Sequence, residues 1–481
     1  MKIVNMRVNH IRNPLGYDCS NPVFSFQIEE SKGKALRSAR IRVAADYKMA
    51  DVVYDSGMRE EISGLPFQPE YTFDGEKRYY WDVSAVADNG EEAVSEPDWF
   101  EGGRGESDWN LPWITSPFDK EIHPVLFRSF MLPQETGIQS ARLYITGLGL
   151  YEAYLNGAKI GEEYLTPFFN DYRFWIQYQT YDVTSQLQNG ENAIAVMLGN
   201  GWYKGRFGYL GNGTVKEYYG DKFRLSAELL VRFENGETVR LATDENWKCG
   251  KAPVTFSSIY DGEVYDASVK IWGEDKRIFG EYLENSLAAV CISAPEGKIV
   301  PRLSPRLIIH ERFEPKELII TPKGEQVIDF GQEITGWVEF DCKAPKGTEV
   351  LLQFGEILQD DCFYRDNYRT AESAFTYRSG GETERVRPHF TFYGFRYLKV
   401  SGVVLNRENL HEYHFEACAI YSDLERIGRI TIPNFIFRFT CPKTRILFGF
   451  SPFAEFLLRP FYALFCNWRR SLLKQAHRIC Q

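Results

Sequence analysis

The chain has no C-x-x-C cysteine pair, no excess of positive charge and no long uncharged apolar run. Each absence removes a class of function. The nine cysteines are odd in number and scattered, which fits reduced thiols better than a disulfide framework or a zinc site. A formal net charge of −10 excludes a typical nucleic-acid binder, which needs a basic face to displace counterions from phosphates. Met1-Lys2-Ile3-Val4-Asn5 carries no apolar h-region and no small-residue cleavage site, so a cytoplasmic location is expected. No stretch reaches the roughly 20 apolar, uncharged residues of a membrane span, and none is expected. The nucleophile elbow G-x-S-x-G, the P-loop and the dinucleotide fingerprint are also missing. Gly147-Leu148-Gly149 lacks the third glycine of that fingerprint.

What is present is aromatic and β-patterned. Phe, Trp and Tyr make up 15% of the 481 residues. That length suggests about three domains. Val23-Phe24-Ser25-Phe26-Gln27-Ile28 and Ala39-Arg40-Ile41-Arg42-Val43-Ala44 alternate with period two. With Tyr79-Tyr80-Trp81-Asp82-Val83 and intervening turn clusters, they predict an immunoglobulin- or fibronectin-like sandwich over 1–105. Glu101 to Asp108 is glycine-rich and charged and reads as a linker. A second β-sandwich, of the jelly-roll-like sugar-binding type, is expected over 116–292. Its hairpins are marked by Asn156-Gly157 and Asn235-Gly236, the strongest short turn signals. A third β domain is expected over 307–421, from Gly336-Trp337-Val338-Glu339-Phe340 to Phe395-Arg396-Tyr397-Leu398. The fold class is therefore all-β, three consecutive sandwiches. Residues 429–481 break the pattern: Glu455 is their only acid, while Arg438, Lys443, Arg445, Arg459, Arg469, Arg470, Lys474 and Arg478 stand among dense phenylalanines. A shifted reading frame produces such an abrupt change, and this tail is read as atypical and not native to the fold.

The chemistry-bearing patterns are few. His411-Glu412-Tyr413-His414 has the wrong spacing for H-E-x-x-H, which puts two imidazoles on one helical face, and reads as strand or loop. Asp360, Asp361 and Asp366 sit too close in sequence to face each other across a glycosidic bond and read as a solvated loop. Sugar binding is the most plausible local chemistry, since it needs aromatic faces together with polar groups for hydroxyls. Two segments supply the mixture: Gly199 to Arg206, a glycine-rich loop, and Asn170 to Trp175. The candidate sugar-binding residues are Trp202, Tyr203, Arg206, Asp171 and Tyr172. No residue is assigned a catalytic or metal-ligating role, and no cofactor is expected.

These same residues carry a resemblance. Tyr151-Glu152-Ala153-Tyr154-Leu155-Asn156-Gly157, Leu165-Thr166-Pro167, Asp171-Tyr172 and Leu198-Gly199-Asn200-Gly201-Trp202-Tyr203-Lys204-Gly205 resemble the N-terminal domain of bacterial α-L-rhamnosidases. Asp329-Phe330-Gly331-Gln332, Gly355-Glu356 and Gly394-Phe395-Arg396-Tyr397 resemble that family's concanavalin-like domain. Asn13-Pro14-Leu15-Gly16, Tyr54-Asp55-Ser56-Gly57 and Trp81-Asp82-Val83 resemble its leading immunoglobulin-like module. Glu333 departs from the Asn usual after Asp-Phe-Gly-Gln, and Tyr393 from a common His. In the family, Tyr421 to Gly428 would lead into an (α/α)6 barrel that cleaves terminal α-L-rhamnosides with inversion. The barrel's acidic Cys-Pro-Gln-Arg-Asp-Glu-Arg stretch shares only two residues with Cys441-Pro442-Lys443-Thr444-Arg445. The resemblance thus implies a truncated or frameshifted rhamnosidase, inactive as it stands. The alternatives are a stand-alone L-rhamnose-binding protein, or a subunit completed by a separate chain carrying the barrel. The expected partners are rhamnose-containing glycosides or oligosaccharides and, in the last case, that second chain.

Overall fold

In the computed structural model, residues 1–62, 66–105, 109–206 and 216–426 are described. The atypical tail, 429–481, lies outside them. Nearly all regular structure is strand. Helix among the described residues is confined to the single turns Gly201–Lys204 and Glu281–Glu284 and three short 3-10 turns. No described helix is long and apolar enough to cross a membrane.

The first domain follows the period-two pattern. Leu36–Ala44 and Arg78–Ala87 pair at the middle of a six-stranded sheet. Ala39, Ile41, Val43, Tyr79, Trp81, Val83 and Ala85 turn inward and are buried. Lys2–Val8 and Phe24–Glu29 form the facing layer, and Phe24 meets the Trp81 ring at 4.8 Å. The segment read as a linker is in part structural. Glu101 and Gly102 end the strand Asp98–Gly102, and Arg104 is buried. A buried guanidinium needs anionic partners, and Arg104 finds Glu76 and Glu228. Arg142 of the second domain adds a two-bonded pair to Glu101, at 2.5 and 2.8 Å.

The second domain is a sandwich of two sheets. One holds Pro124–Leu132, Leu150–Leu155, Gly190–Gly199 and Lys248–Lys251. The other holds Ile138–Leu148, Trp175–Asp182 and Arg224–Phe233. Asn156 and Gly157 turn the first hairpin with φ of 51° and 80°, the left-handed pair that a two-residue hairpin requires.

The third domain is built on a 17-residue strand, Gln326–Cys342, in a ten-stranded sheet. The hairpin Val254–Ser258/Gly262–Asp266 falls within 116–292 in sequence. Its second strand nevertheless pairs in parallel with Ala374–Arg378 and so joins the third domain's sheet. Conversely, Lys298–Pro301, which lies between the expected second and third domains, pairs with Trp175–Asp182 of the second domain. The exchange gives a continuous apolar core from Trp113 and Phe127 to Trp337 and Phe395. Across it, Arg387 forms two bonds to the buried Glu152 at 2.9 and 2.8 Å. Burial raises the Glu152 carboxyl, but the charges of Arg387 and His389 prevail and hold it down at about 2.

Candidate functional site

The aromatic loops of the second domain do converge. The strand Gly190–Gly199 ends in the helical turn Gly201–Lys204, so the segment expected as a glycine-rich loop is a single turn of helix. It places Tyr203 5.1 Å from Tyr172, edge to face, and Tyr172 4.9 Å from Tyr219. Trp202, Tyr203 and Tyr172 are all buried, and they belong to the core shared by the second and third domains. The structure therefore presents none of these three rings as an open stacking face. Arg206 is held too, bonding Thr370 at 3.1 Å and pairing with Asp261 at 3.1 Å. Asp171 is partly exposed and lies 3.5 Å from Arg173.

The exposed aromatics of this region are neighbours of the five candidates. Phe174 is 60% exposed and Tyr218 is 43% exposed. The Arg173 guanidinium lies 5.4 Å from the Tyr218 ring and 5.6 Å from that of Tyr219, within cation–π range. Sequence patterning marked Phe174 as part of an aromatic segment but could not show which rings face solvent. Tyr218 carried no separate signal.

A second constellation forms in the third domain, where three sequence-distant motifs meet. Asp329 pairs with Tyr397, and Ile334 with Phe395. Phe330 to Glu333 therefore bulge out opposite the single residue Arg396, with Gly331 at φ 83°. Gly355 pairs with Tyr397 from the other side, so Glu356 arrives at the same place. A Cβ on Gly394 would lie 3.9 Å from a carboxylate oxygen of Glu333 and 3.9 Å from one of Glu356. Asn367 donates to Glu356 at 2.6 Å, and the Tyr368 hydroxyl donates to the Gly394 carbonyl. Arg396 is committed to Asp329 through two bonds of 2.9 Å, and its charge also acts to lower Glu333. Burial, reinforced by the charge of Glu356, pushes the Glu333 carboxyl up to about 8. Burial raises Glu356 as well, against the Asn367 hydrogen bond. Sequence reasoning singled out Glu333 and Glu356 as motif positions and did not bring them together.

The remaining patterns hold no chemistry of this kind. Glu339, Glu416 and Cys418 offer ligand atoms within 4.8 Å of one another. Arg312 already occupies the group, however, bonding Glu339 at 2.9 Å, Glu416 at 2.5 Å and Cys418 Sγ at 3.3 Å. A cation there would displace a guanidinium, so the arrangement is an ion-pair cluster. His411 to Tyr413 form a 3-10 turn rather than a strand or loop, and His414 bonds Asp341 at 2.8 Å. Asp360 and Asp361 make the exposed turn between Ile357–Gln359 and Cys362–Tyr364.

Residues 3–106 match the Rha78A-like N-terminal immunoglobulin domain. Residues 136–311 match the α-L-rhamnosidase N-terminal domain, and 319–421 the bacterial α-L-rhamnosidase concanavalin-like domain. These domains belong to the α-L-rhamnosidase family. An α-L-rhamnosidase of Streptomyces avermitilis is 33% identical over 341 residues, 69% of this chain and 32% of that protein. One of Formosa agariphila is 29% identical over 82% of this chain and 45% of that protein. The solved α-L-rhamnosidase from Dictyoglumus thermophilum superposes with a TM-score of 0.78 at 28% identity, over 89% of this chain and 49% of that one. The chain thus spans less than half the length of these rhamnosidases, and the matched part is their N-terminal β portion. No helical barrel occurs among the described residues.

Proposed function

We propose that this chain is the non-catalytic β portion of a truncated or frameshifted α-L-rhamnosidase and does not itself hydrolyse rhamnosides. The observation that carries the reading is the ordered match of three N-terminal domains to enzymes of which this chain spans less than half. The composition change after Gly428 supports it. A cytoplasmic setting belongs to the same proposal and rests on the scattered, odd-numbered cysteines.

The test is an assay of the full chain on an aryl α-L-rhamnoside, with resequencing of the coding DNA from Glu425 onward. No release of the aryl group above buffer is expected, and another frame should continue into the acidic barrel motif. Release of the aryl group above buffer by the full chain would overturn the reading. An intact frame together with a neighbouring gene for a barrel chain would favour the two-chain form.

A second reading, L-rhamnose binding, is favoured by the exposed Phe174 and Tyr218 beside Arg173. In that reading the sugar stacks on these outer rings, and Asp171 and Arg173 supply hydroxyl partners. Calorimetric titration with L-rhamnose decides it. Saturable binding lost in Phe174→Ala supports the reading, and absence of binding by the full chain removes it.

A further inference from the structure

We propose that the strand Val290–Ile292 is the docking edge for a second copy of this chain, the two copies pairing antiparallel about a two-fold axis at Cys291. The segment that carries it closes one side of the second domain. Leu287–Ala288 ends the six-stranded sheet by pairing with Lys248–Lys251. Val290–Ile292 ends the other sheet by pairing with Trp113–Thr115. Each of the two strands pairs on one side only among the described residues. Between them Ala289 turns inward, and its N–H donates to the Trp247 carbonyl at 2.9 Å. Both sheets of the sandwich therefore end along this one segment.

A sheet edge is a template for another strand, and folded chains guard it with charge, proline or shortness. Here shortness is the only guard. Leu287-Ala288-Ala289-Val290-Cys291-Ile292 holds no charge and no proline. Its large side chains also face out. Leu287 is 49% exposed and Val290 is 46% exposed, with Leu283 at 48% in the preceding turn Glu281–Glu284. Cys291 is an exposed free thiol. Three residues of ladder give little by themselves, so burial of these apolar side chains must supply most of the association.

The edge is its own complement. Its middle is uncharged, so no like charges meet when two copies pair. Its ends differ in sign. Glu281 and Glu284 precede it. It is followed by Lys298 and the single acid Glu296, and the Arg224 guanidinium donates to the Ser293 carbonyl there at 2.9 Å. An antiparallel two-fold lays the acidic end of one copy against the cationic end of the other, whereas a parallel pairing sets like ends together. A self-complementary patch is what an isologous dimer requires. In that register Val290 lies opposite the partner's Ile292, and the two Cys291 residues lie opposite each other.

The experiment is sedimentation velocity of the full chain from about 1 to about 100 µM, the range of a small interface. A reversible monomer–dimer equilibrium is expected. Val290→Lys should weaken it at least about tenfold, because each copy would bury an unpaired ammonium. The site is half exposed, so the far-UV circular dichroism should not change. If that variant does not fold, Leu287→Lys replaces it with the same expectation. A chain that stays monomeric throughout overturns the proposal and gives the edge to a different polypeptide. Association unchanged by the lysine overturns it too. Cross-linking tests the register. Paired antiparallel Cα atoms lie about 4.5–5.5 Å apart, within disulfide reach. Copper phenanthroline with dioxygen should therefore oxidise the two Cys291 thiols to one disulfide, seen as a covalent dimer on a non-reducing gel and lost in Cys291→Ser. A cross-link that survives Cys291→Ser places the contact elsewhere and overturns the proposal. None of these outcomes depends on rhamnoside chemistry.

Discussion

Trp202 shows how residue type and residue role come apart. Its ring stands in a segment with the chemistry of a sugar platform, yet it is packed into the core with Phe169 6.3 Å away, edge to face. Trp202→Ala is therefore expected to lower stability by about 3–5 kcal/mol, the usual cost of emptying a buried aromatic site, seen as a lower denaturation midpoint. Phe174→Ala removes a ring that is 60% exposed and should leave stability within about 0.5 kcal/mol. If L-rhamnose binds, that variant loses binding while its unfolding curve is unchanged. Arg387 makes the opposite case. Its charge holds the buried Glu152 ionised, and Arg387→Ala strands that carboxylate, at a cost of about 3–5 kcal/mol. The pair's contribution is present above the ordinary glutamate range and is lost as pH falls toward about 2. The wild type should lose its advantage over Arg387→Ala across that acid window.

At the scale of elements, period-two alternation and Asn-Gly turns were legible, because side chains on a half-buried strand must alternate and a tight hairpin demands left-handed backbone. Strand partnership was not legible. Nothing in Val254–Asp266 announces that its ladder completes a sheet whose next strand lies more than a hundred residues onward. The bulge at Phe330–Glu333 was hidden for the same reason: it exists only relative to the partner strand carrying Arg396. Gly262 tests the crossing. With φ at 110°, an added Cβ would press into the Ala374 carbonyl. Gly262→Ala should destabilise the hairpin's attachment, read as faster hydrogen exchange in both Gly262–Asp266 and Ala374–Arg378.

On the scale of the whole molecule, the second and third domains share one core, while the first joins largely through Glu76, Glu101, Arg104, Arg142 and Glu228. Calorimetry should show the second and third domains unfolding in a single transition. A first-domain transition should separate from it when Arg104→Ala breaks the charged joint. The segment after residue 428 is basic and rich in phenylalanine, a composition that is an aggregation hazard where it is not buried. A chain ended after Leu424 is expected to stay soluble at higher concentration than the full chain. Equal solubility would mean that the segment is accommodated by the β domains.

The sequence alone determined the all-β class, the order of three domains and the family, since alternation, turn chemistry and ordered motifs are local properties written residue by residue. Only the tertiary structure decided which rings are core and which are surface. It also decided which strands cross between domains, and that Glu333 and Glu356 both approach Gly394. Burial and proximity depend on what the rest of the chain brings alongside, and local spacing does not encode that.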